Sequence, residues 1–377
     1  MKRYALTLIA LLLLTACTSP PPEPTLTQTE LFTAGEGGYH SYRIPAIITT
    51  SKGTVLAFCE GRKNSRSDSG DIDLLLRRSF DNGQTWGPVQ VIANHAEDTI
   101  GNPTPVIDRD TQTIWLLLTK NPGEATGEQL KNSFEAGTRT VWITHSNYDG
   151  ATWADATDIT ASTKISEWTW YATGPGVGIQ LQSGRLVIPC DHRKPESDRS
   201  YSHVIYSDDH GQTWQIGGET AAQNNECQVI ERRDGSLLLN MRSNHGRNQR
   251  SIATSTDGGM TWSDVTFDET LVEPRCQASL LRYTPVPQPA DDQTGKSLVL
   301  FSNPASTKRE NMTVRLSRDD GQTWPTSRVL HEGPAAYSSL TVLKDGAIAC
   351  LYERGQTNSY ETITLARFPL AWLDAAD

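Results

Sequence analysis

One octapeptide recurs along this chain of 377 residues: SFDNGQTW (79–86), SDDHGQTW (207–214), STDGGMTW (255–262) and SRDDGQTW (317–324), with a divergent copy, SNYDGATW, at 146–153. A unit that returns along the chain restricts it to a repeat architecture. Asp-x-Gly suits a tight turn, because the carboxylate accepts from nearby backbone N–H groups and Gly tolerates positive φ. Thr and Trp then begin a strand, with the indole able to cover the edge of a core. Asp81, Asp209, Asp257 and Asp319 are therefore read as structural. Tyr148, at the Asp position of the divergent copy, agrees, since a turn tolerates a change of chemistry that a catalytic acid does not.

A looser pattern, a turn signal followed by an apolar strand, occurs six times: KGTVLAF (52–58), TQTIWLLL (111–118), SGRLVIP (183–189), DGSLLLNM (234–241), TGKSLVLF (294–301) and DGAIACLY (345–352). Short, evenly spaced strands with few helix signals predict an all-β chain, a six-bladed β-propeller over residues 30–377. Strand order in the first repeat runs hairpin, polar loop, third strand, octapeptide. Successive strands of a meander are antiparallel, so alternate turns fall at opposite ends. The octapeptide thus shares an end with the hairpin turn, and the polar loop lies at the other.

The N-terminus follows a different logic. MKRYALTLIALLLLTAC has a basic start and an apolar run, the form of a secretory signal over residues 1–16. Leu14-Thr15-Ala16-Cys17 resembles a lipobox, which would make Cys17 the lipidated first residue, and Pro20–Pro24 reads as an extended tether within 17–29. The expected location is a bacterial membrane, reached through a lipid anchor alone. Cys59, Cys190, Cys227, Cys276 and Cys350 show no metal-ligand spacing and are read as buried free thiols, with no metal or cofactor expected. The formal net charge of −10 and the absence of a basic run argue against nucleic acid.

The end away from the octapeptides collects polar residues. Arg43 and Arg62 bracket the first hairpin, Glu226 and Arg242 the fourth, Tyr337 and Glu353 the last; Arg309 and Asp68 fall at the same end. Several arginines point to an anion, because guanidinium pairs bidentately with carboxylate. A Tyr near a Glu is a candidate nucleophile and base.

These segments also carry a resemblance. YRIP (42–45), the four intact octapeptides, NECQV (225–229), NMRS (240–243) and AYSSL (336–340) resemble the exo-α-sialidases (neuraminidases) over nearly the whole mature chain. The resemblance implies retaining removal of terminal sialic acid from glycoproteins, glycolipids or oligosaccharides. It implies Arg43, Arg242 and Arg309 as the carboxylate-binding triad, Tyr337 as nucleophile, Glu226 as its base and Asp68, rather than Asp71 or Asp73, as acid/base. Glu353 would orient Arg43, and Arg62 would lie near the substrate carboxylate. His192, Asn102 and Trp170 are further cleft candidates. A sialic-acid-binding propeller without activity would need the arginines but not Asp68, Tyr337 and Glu226 together; a trans-sialidase, or an enzyme for a related nonulosonic acid, is the other reading.

Overall fold

The computed structural model describes residues 25–194, 199–284 and 298–374. The leader, Cys17 and the proline segment lie outside them. Among the described residues the chain is all-β, apart from short helical segments at Gly127–Asn132, Thr160–Thr163 and Leu370–Asp374.

The strands run up and down in sequence order. Ser41–Thr49, Val55–Arg62, Ile72–Ser79 and Gln90–Ala93 form one antiparallel meander. Thr99–Ile107, Ile114–Asn121, Thr140–Ser146 and Thr157–Asp158 repeat the order. Tyr171–Thr173 with Ile179–Gln180, Leu186–Arg193, Ser200–Ser207 and Gln215–Glu219 follow. Asn224–Glu231, Leu237–Ser243, Gln249–Ser255 and Thr266–Val272 come next. Ser279–Arg282, Val299–Pro304 and Glu310–Ser317 pair in turn, and the last of these pairs with the first part of the long strand Thr326–Val342. The remainder of that strand pairs with Ile348–Arg354, and Ile348–Arg354 with Thr362–Phe368.

The outermost strand of the last meander comes from the other end of the chain: Thr27–Thr33 pairs antiparallel with Thr362–Phe368. The folded unit therefore begins at Thr27, not at the expected residue 30, because Thr27, Gln28 and Thr29 already pair with Arg367, Ala366 and Leu365.

Apolar side chains fill the spaces between neighbouring meanders. Ala46, Leu56, Phe58, Leu74 and Leu76 of the first pack with Ile100, Leu116 and Leu118 of the second. Val55–Arg62 is buried at every position, which explains why its first part, Val55 to Cys59, reads as a continuous apolar run instead of alternating. Full burial of each such Leu or Phe contributes about 1.5–3 kcal/mol before the entropy of ordering is counted.

The octapeptides behave as turns. Asp81 Oδ1 accepts from Thr85 N at 2.8 Å and Oδ2 from Thr85 Oγ1 at 2.5 Å, while Ser79 Oγ accepts from Gly83 N at 2.9 Å. Asn82 and Gly83 turn through positive φ, 57° and 79°. Asp209, Asp257 and Asp319 make the same pair of contacts to Thr213, Thr261 and Thr323. In the divergent copy Gly150 N still donates to Ser146 Oγ at 3.0 Å and Trp153 Nε1 to Gly150 O at 3.2 Å, and Tyr148 faces solvent. Ladder register separates the two ends: Val55 pairs with Ser79 at the octapeptide end and Arg62 with Ile72 at the other.

Candidate active site

At the end away from the octapeptides lies a cleft of about 730 Å³, lined by Arg43, Asp68, Glu226, Arg242, Arg309 and Tyr337. On the opposite face Asp208, His210, Asp257 and Gly258 gather beside the hairpin turns at Gly184 and Gly235, and none of them borders the cleft.

Irregular ladders deliver the side chains. Register shifts occur between Arg43 and Ala46, Gly101 and Thr104, Asn224 and Cys227, and Ala335 and Ser338. Such an irregularity breaks the strict alternation of faces and re-aims a side chain. Arg43, Asn102, Glu226 and Tyr337 sit at or within these four shifts. Ile44 has φ 61°, a strained conformation for a β-branched residue. It is held by Glu353, whose Oε1 accepts from Ile44 N at 2.9 Å.

Glu353 is fully buried and ties two segments together. Its Oε1 also accepts from Arg43 Nε at 2.7 Å, and its Oε2 accepts from Tyr337 N at 3.1 Å. Burial is the largest influence and works against the charge on Arg43, but the Glu353 carboxylate together with Tyr360, Tyr337 and Asp68 outweighs it, and the guanidinium is held firmly protonated.

Three guanidinium groups surround Tyr337. Arg43 lies 5.2 Å and Arg309 5.5 Å from its ring centroid, and Arg242 Nη1 is 3.2 Å from its Oη. Tyr337 Oη donates to Glu226 Oε1 at 2.5 Å, and Arg242 Nη1 donates to Glu226 Oε2 at 2.7 Å. Burial, with the Glu226 carboxylate second, pushes the Tyr337 phenol well above its ordinary value, against Arg242 and Arg309. The phenol is thus neutral at rest, with an acceptor for its proton already in contact.

Asp68 projects from the polar loop at the cleft mouth, its side chain 64% exposed. Arg62 Nη1 donates to its Oδ1 at 2.8 Å, and Arg43 Nη1 lies 3.9 Å away. What burial it has pushes its pKa up, but the Arg62 and Arg43 charges prevail and hold it at about 2. Arg62 itself is 2% exposed and does not border the cleft. Its guanidinium is committed to Glu60 Oε2, at 2.6 and 2.9 Å, as well as to Asp68. The expectation of Arg62 beside a ligand carboxylate is therefore revised: it buttresses Asp68 from behind the wall.

Of the further candidates, Asn102 and Trp170 line the cleft. His192 does not: it is fully buried, stacked on Trp168 and in contact with His203 Nδ1 at 3.1 Å. The cysteines expected to be buried thiols, Cys59, Cys190, Cys227, Cys276 and Cys350, are buried and free.

Several cleft residues carried no sequence signal. Tyr360 Oη accepts from Arg309 Nη1 at 2.7 Å, and its ring lies 4.1 Å from the Arg43 guanidinium. Asp191 also lines the cleft, beside Asn225 of the NECQV segment. Glu60 Oε1 accepts from Asn102 N at 2.9 Å, across a gap that only Gly101 permits, since a Cβ there would stand 2.1 Å from Glu60 Oε1. These contacts join distant segments and have no local motif.

Comparison with known proteins places this geometry. Residues 53–350 match the BNR repeat-like domain. The chain is 36% identical over 366 residues to a sialidase of Micromonospora viridifaciens, covering 94% of this chain but 55% of that protein, so it spans about half of that relative's length. It is 33% identical over 372 residues to an exo-alpha-sialidase of Aspergillus fumigatus, covering 89% of this chain and 86% of the other. Among solved structures, the Hadza microbial sialidase Hz136 superposes with a TM-score of 0.83 at 33% identity, over 92% of this chain and 69% of that one. An intramolecular trans-sialidase from Ruminococcus gnavus, at 20% identity and a TM-score of 0.75 over 92% of this chain and 98% of that one, shares the fold. With the repeats, the family match and these relatives in hand, the chain belongs to the bacterial exo-α-sialidase (neuraminidase) family with Asp-box repeats.

Proposed function

We propose that the protein is a retaining exo-α-sialidase that hydrolyses terminal sialic acid from glycoproteins, glycolipids or oligosaccharides, built as a six-bladed propeller. The blade count is supported by the cores: each of six clusters joins two successive meanders, and one joins the last to the first through Leu351, Ile363 and Leu365 against Ile47, Val55 and Leu75.

One observation carries the catalytic reading: Tyr337 Oη is hydrogen-bonded to Glu226 within a ring of three arginines. Sialic acid bears a carboxylate on its anomeric carbon. An anionic nucleophile would be repelled there and a neutral phenol is not; sialidases with a tyrosine nucleophile are an exception to the two-carboxylate scheme of glycosidases. Arg43, Arg242 and Arg309 hold the carboxylate and orient the ring. Glu226 takes the phenol proton as Tyr337 Oη attacks the anomeric carbon. Asp68 delivers a proton to the leaving oxygen, then accepts one from the water that releases the sugar. Held at about 2 in the free protein, Asp68 must gain proton affinity on binding, and a ligand carboxylate that shares the Arg43 charge works in that direction.

Release of the fluorophore from a 4-methylumbelliferyl α-sialoside tests the activity. NMR of the first-formed anomer tests retention, and mass spectrometry of Tyr337 after treatment with a 2,3-difluorosialic acid tests the covalent step. No release from α2,3-, α2,6- or α2,8-linked substrates, with binding retained, would leave a sialic-acid-binding propeller. Transfer to added lactose in place of water would mark a trans-sialidase.

We further propose export and lipid anchoring through Cys17, on the strength of the Leu14-Thr15-Ala16-Cys17 segment. Metabolic labelling with an alkyne fatty acid should mark the wild-type chain and not Cys17→Ser; equal labelling of both removes the assignment.

A further inference from the structure

One wall of the cleft holds a carboxyl group for which the reaction above has no use. Asp191, on Leu186–Arg193, is fully buried. Its Oδ2 accepts from Trp170 Nε1 at 3.1 Å and from Asn225 Nδ2 at 2.8 Å. Its Oδ1 has no hydrogen-bond partner among the described residues. Both donors line the cleft, and Asn225 directly precedes Glu226. Trp170 is further held by the Arg139 guanidinium, 3.7 Å from its ring centroid. One buried carboxyl group therefore fixes two side chains of the wall.

A buried carboxylate with an unpaired oxygen carries a large desolvation cost, which favours the neutral acid. The surroundings of Asp191 do not cancel that cost. Glu226 faces it with a like charge, Arg139 and Arg242 with opposite ones. Lys131, Tyr171 and Cys227 are the other titratable groups that feel it from neighbouring elements. None of the three makes a hydrogen bond to its free oxygen.

We propose that Asp191 is a positioning residue of the reaction: it anchors Trp170 and Asn225 and, by remaining uncharged, keeps that wall open to an anionic substrate. The substrate is taken from the sialidase reading; the anchoring and the neutral state are not. Burial first and the Glu226 charge second raise Asp191 to about 8, against Arg139 and Arg242. As pH rises through that value the group ionises and places a second buried carboxylate beside Glu226. An anionic ligand is then repelled, while the reacting groups keep their places, so the effect falls on KM more than on kcat.

KM and kcat for a sialoside are measured from about pH 5 to about pH 9 in the wild type and Asp191→Asn, whose amide oxygen still accepts from Trp170 and Asn225 and cannot ionise. The wild-type KM should rise about tenfold across the upper part of this range, the order expected of one buried charge at ligand distance. In Asp191→Asn that rise should be lost. Two superimposable profiles, or a flat wild-type KM, overturn the inference. Asp191→Ala, which lacks the anchor, should bind more weakly at every pH than Asp191→Asn; equal KM values for the two discard the anchoring role. A wild-type chain that releases no sialic acid would refute the sialidase reading alone. The Asp191 carboxyl can still be followed by ¹³C NMR titration of the full chain, where a midpoint in the ordinary carboxylate range overturns the neutral state and one near or above neutrality supports it.

Discussion

Tyr337 and Glu226 lie 111 residues apart and share a hydrogen bond of 2.5 Å, from the phenol Oη to Glu226 Oε1. Neither group suits its role alone. Burial and the neighbouring carboxylate make Tyr337 a very weak acid, so in the proposed mechanism it would attack only if the proton leaves as the bond forms. Tyr337→Phe should lower kcat on a fluorogenic α-sialoside by roughly a thousandfold or more, with thermal unfolding close to wild type. Wild-type turnover by that variant would remove Tyr337 as the nucleophile.

Glu353 stabilises the site from beneath. Removing it leaves the Arg43 guanidinium buried without its carboxylate and frees the strained Ile44 amide. Glu353→Ala should destabilise the fold by about 3–5 kcal/mol in urea unfolding, the usual range for breaking a buried ion pair. A cost below about 1 kcal/mol would show that this contact is not a structural tie.

Asp68 owes its low pKa to Arg62 and Arg43 acting against burial. Arg62→Gln should therefore raise it from about 2 towards the ordinary carboxylate range, and because Asp68 must be protonated to serve the leaving oxygen, the alkaline limb of kcat/KM should move up with it. The folded value lies below the unfolded one. The contact therefore adds stability above the unfolded pKa and loses it as pH falls through about 2. An alkaline limb unmoved in Arg62→Gln would assign that limb to another group.

The octapeptide carboxylates act on stability alone. Asp319 accepts from Thr323 N and Oγ1 at 2.8 and 2.6 Å; burial works to raise its pKa, but these contacts with those from Ser317 and Gln322 together hold it down. Asp319→Ala should cost about 1 kcal/mol by denaturant unfolding and leave kcat/KM unchanged. A selective loss of activity at unchanged stability would contradict a purely structural turn.

The octapeptides and the apolar strands were legible because their causes are local. Asp81 reaches its partners within four residues, and the apolar run Val55 to Cys59 announces its burial by composition. Arg43, Arg242 and Tyr337 were legible because strand order sends both ends of a hairpin to one side. Strand order does not place Arg62 and His192, for the opposite reason. A residue's distance from the strand end does not say whether Glu60 or Trp168 will take its polar or flat face first.

The sequence by itself determined the repeat, the turn chemistry and which end of each strand carries polar groups, because these depend on alternation and on contacts a few residues long. Tertiary structure decided the rest. It set the register shifts at Arg43, Asn102, Glu226 and Tyr337, the burial of Glu353 and Asp191, and the return of Thr27–Thr33 to Thr362–Phe368. Whether a carboxyl group is a charged tie, like Glu353 with three donors, or a buried acid with a free oxygen, like Asp191, depends on which distant groups arrive beside it. Desolvation and Coulomb energies belong to that assembled environment, and no stretch of sequence carries them alone.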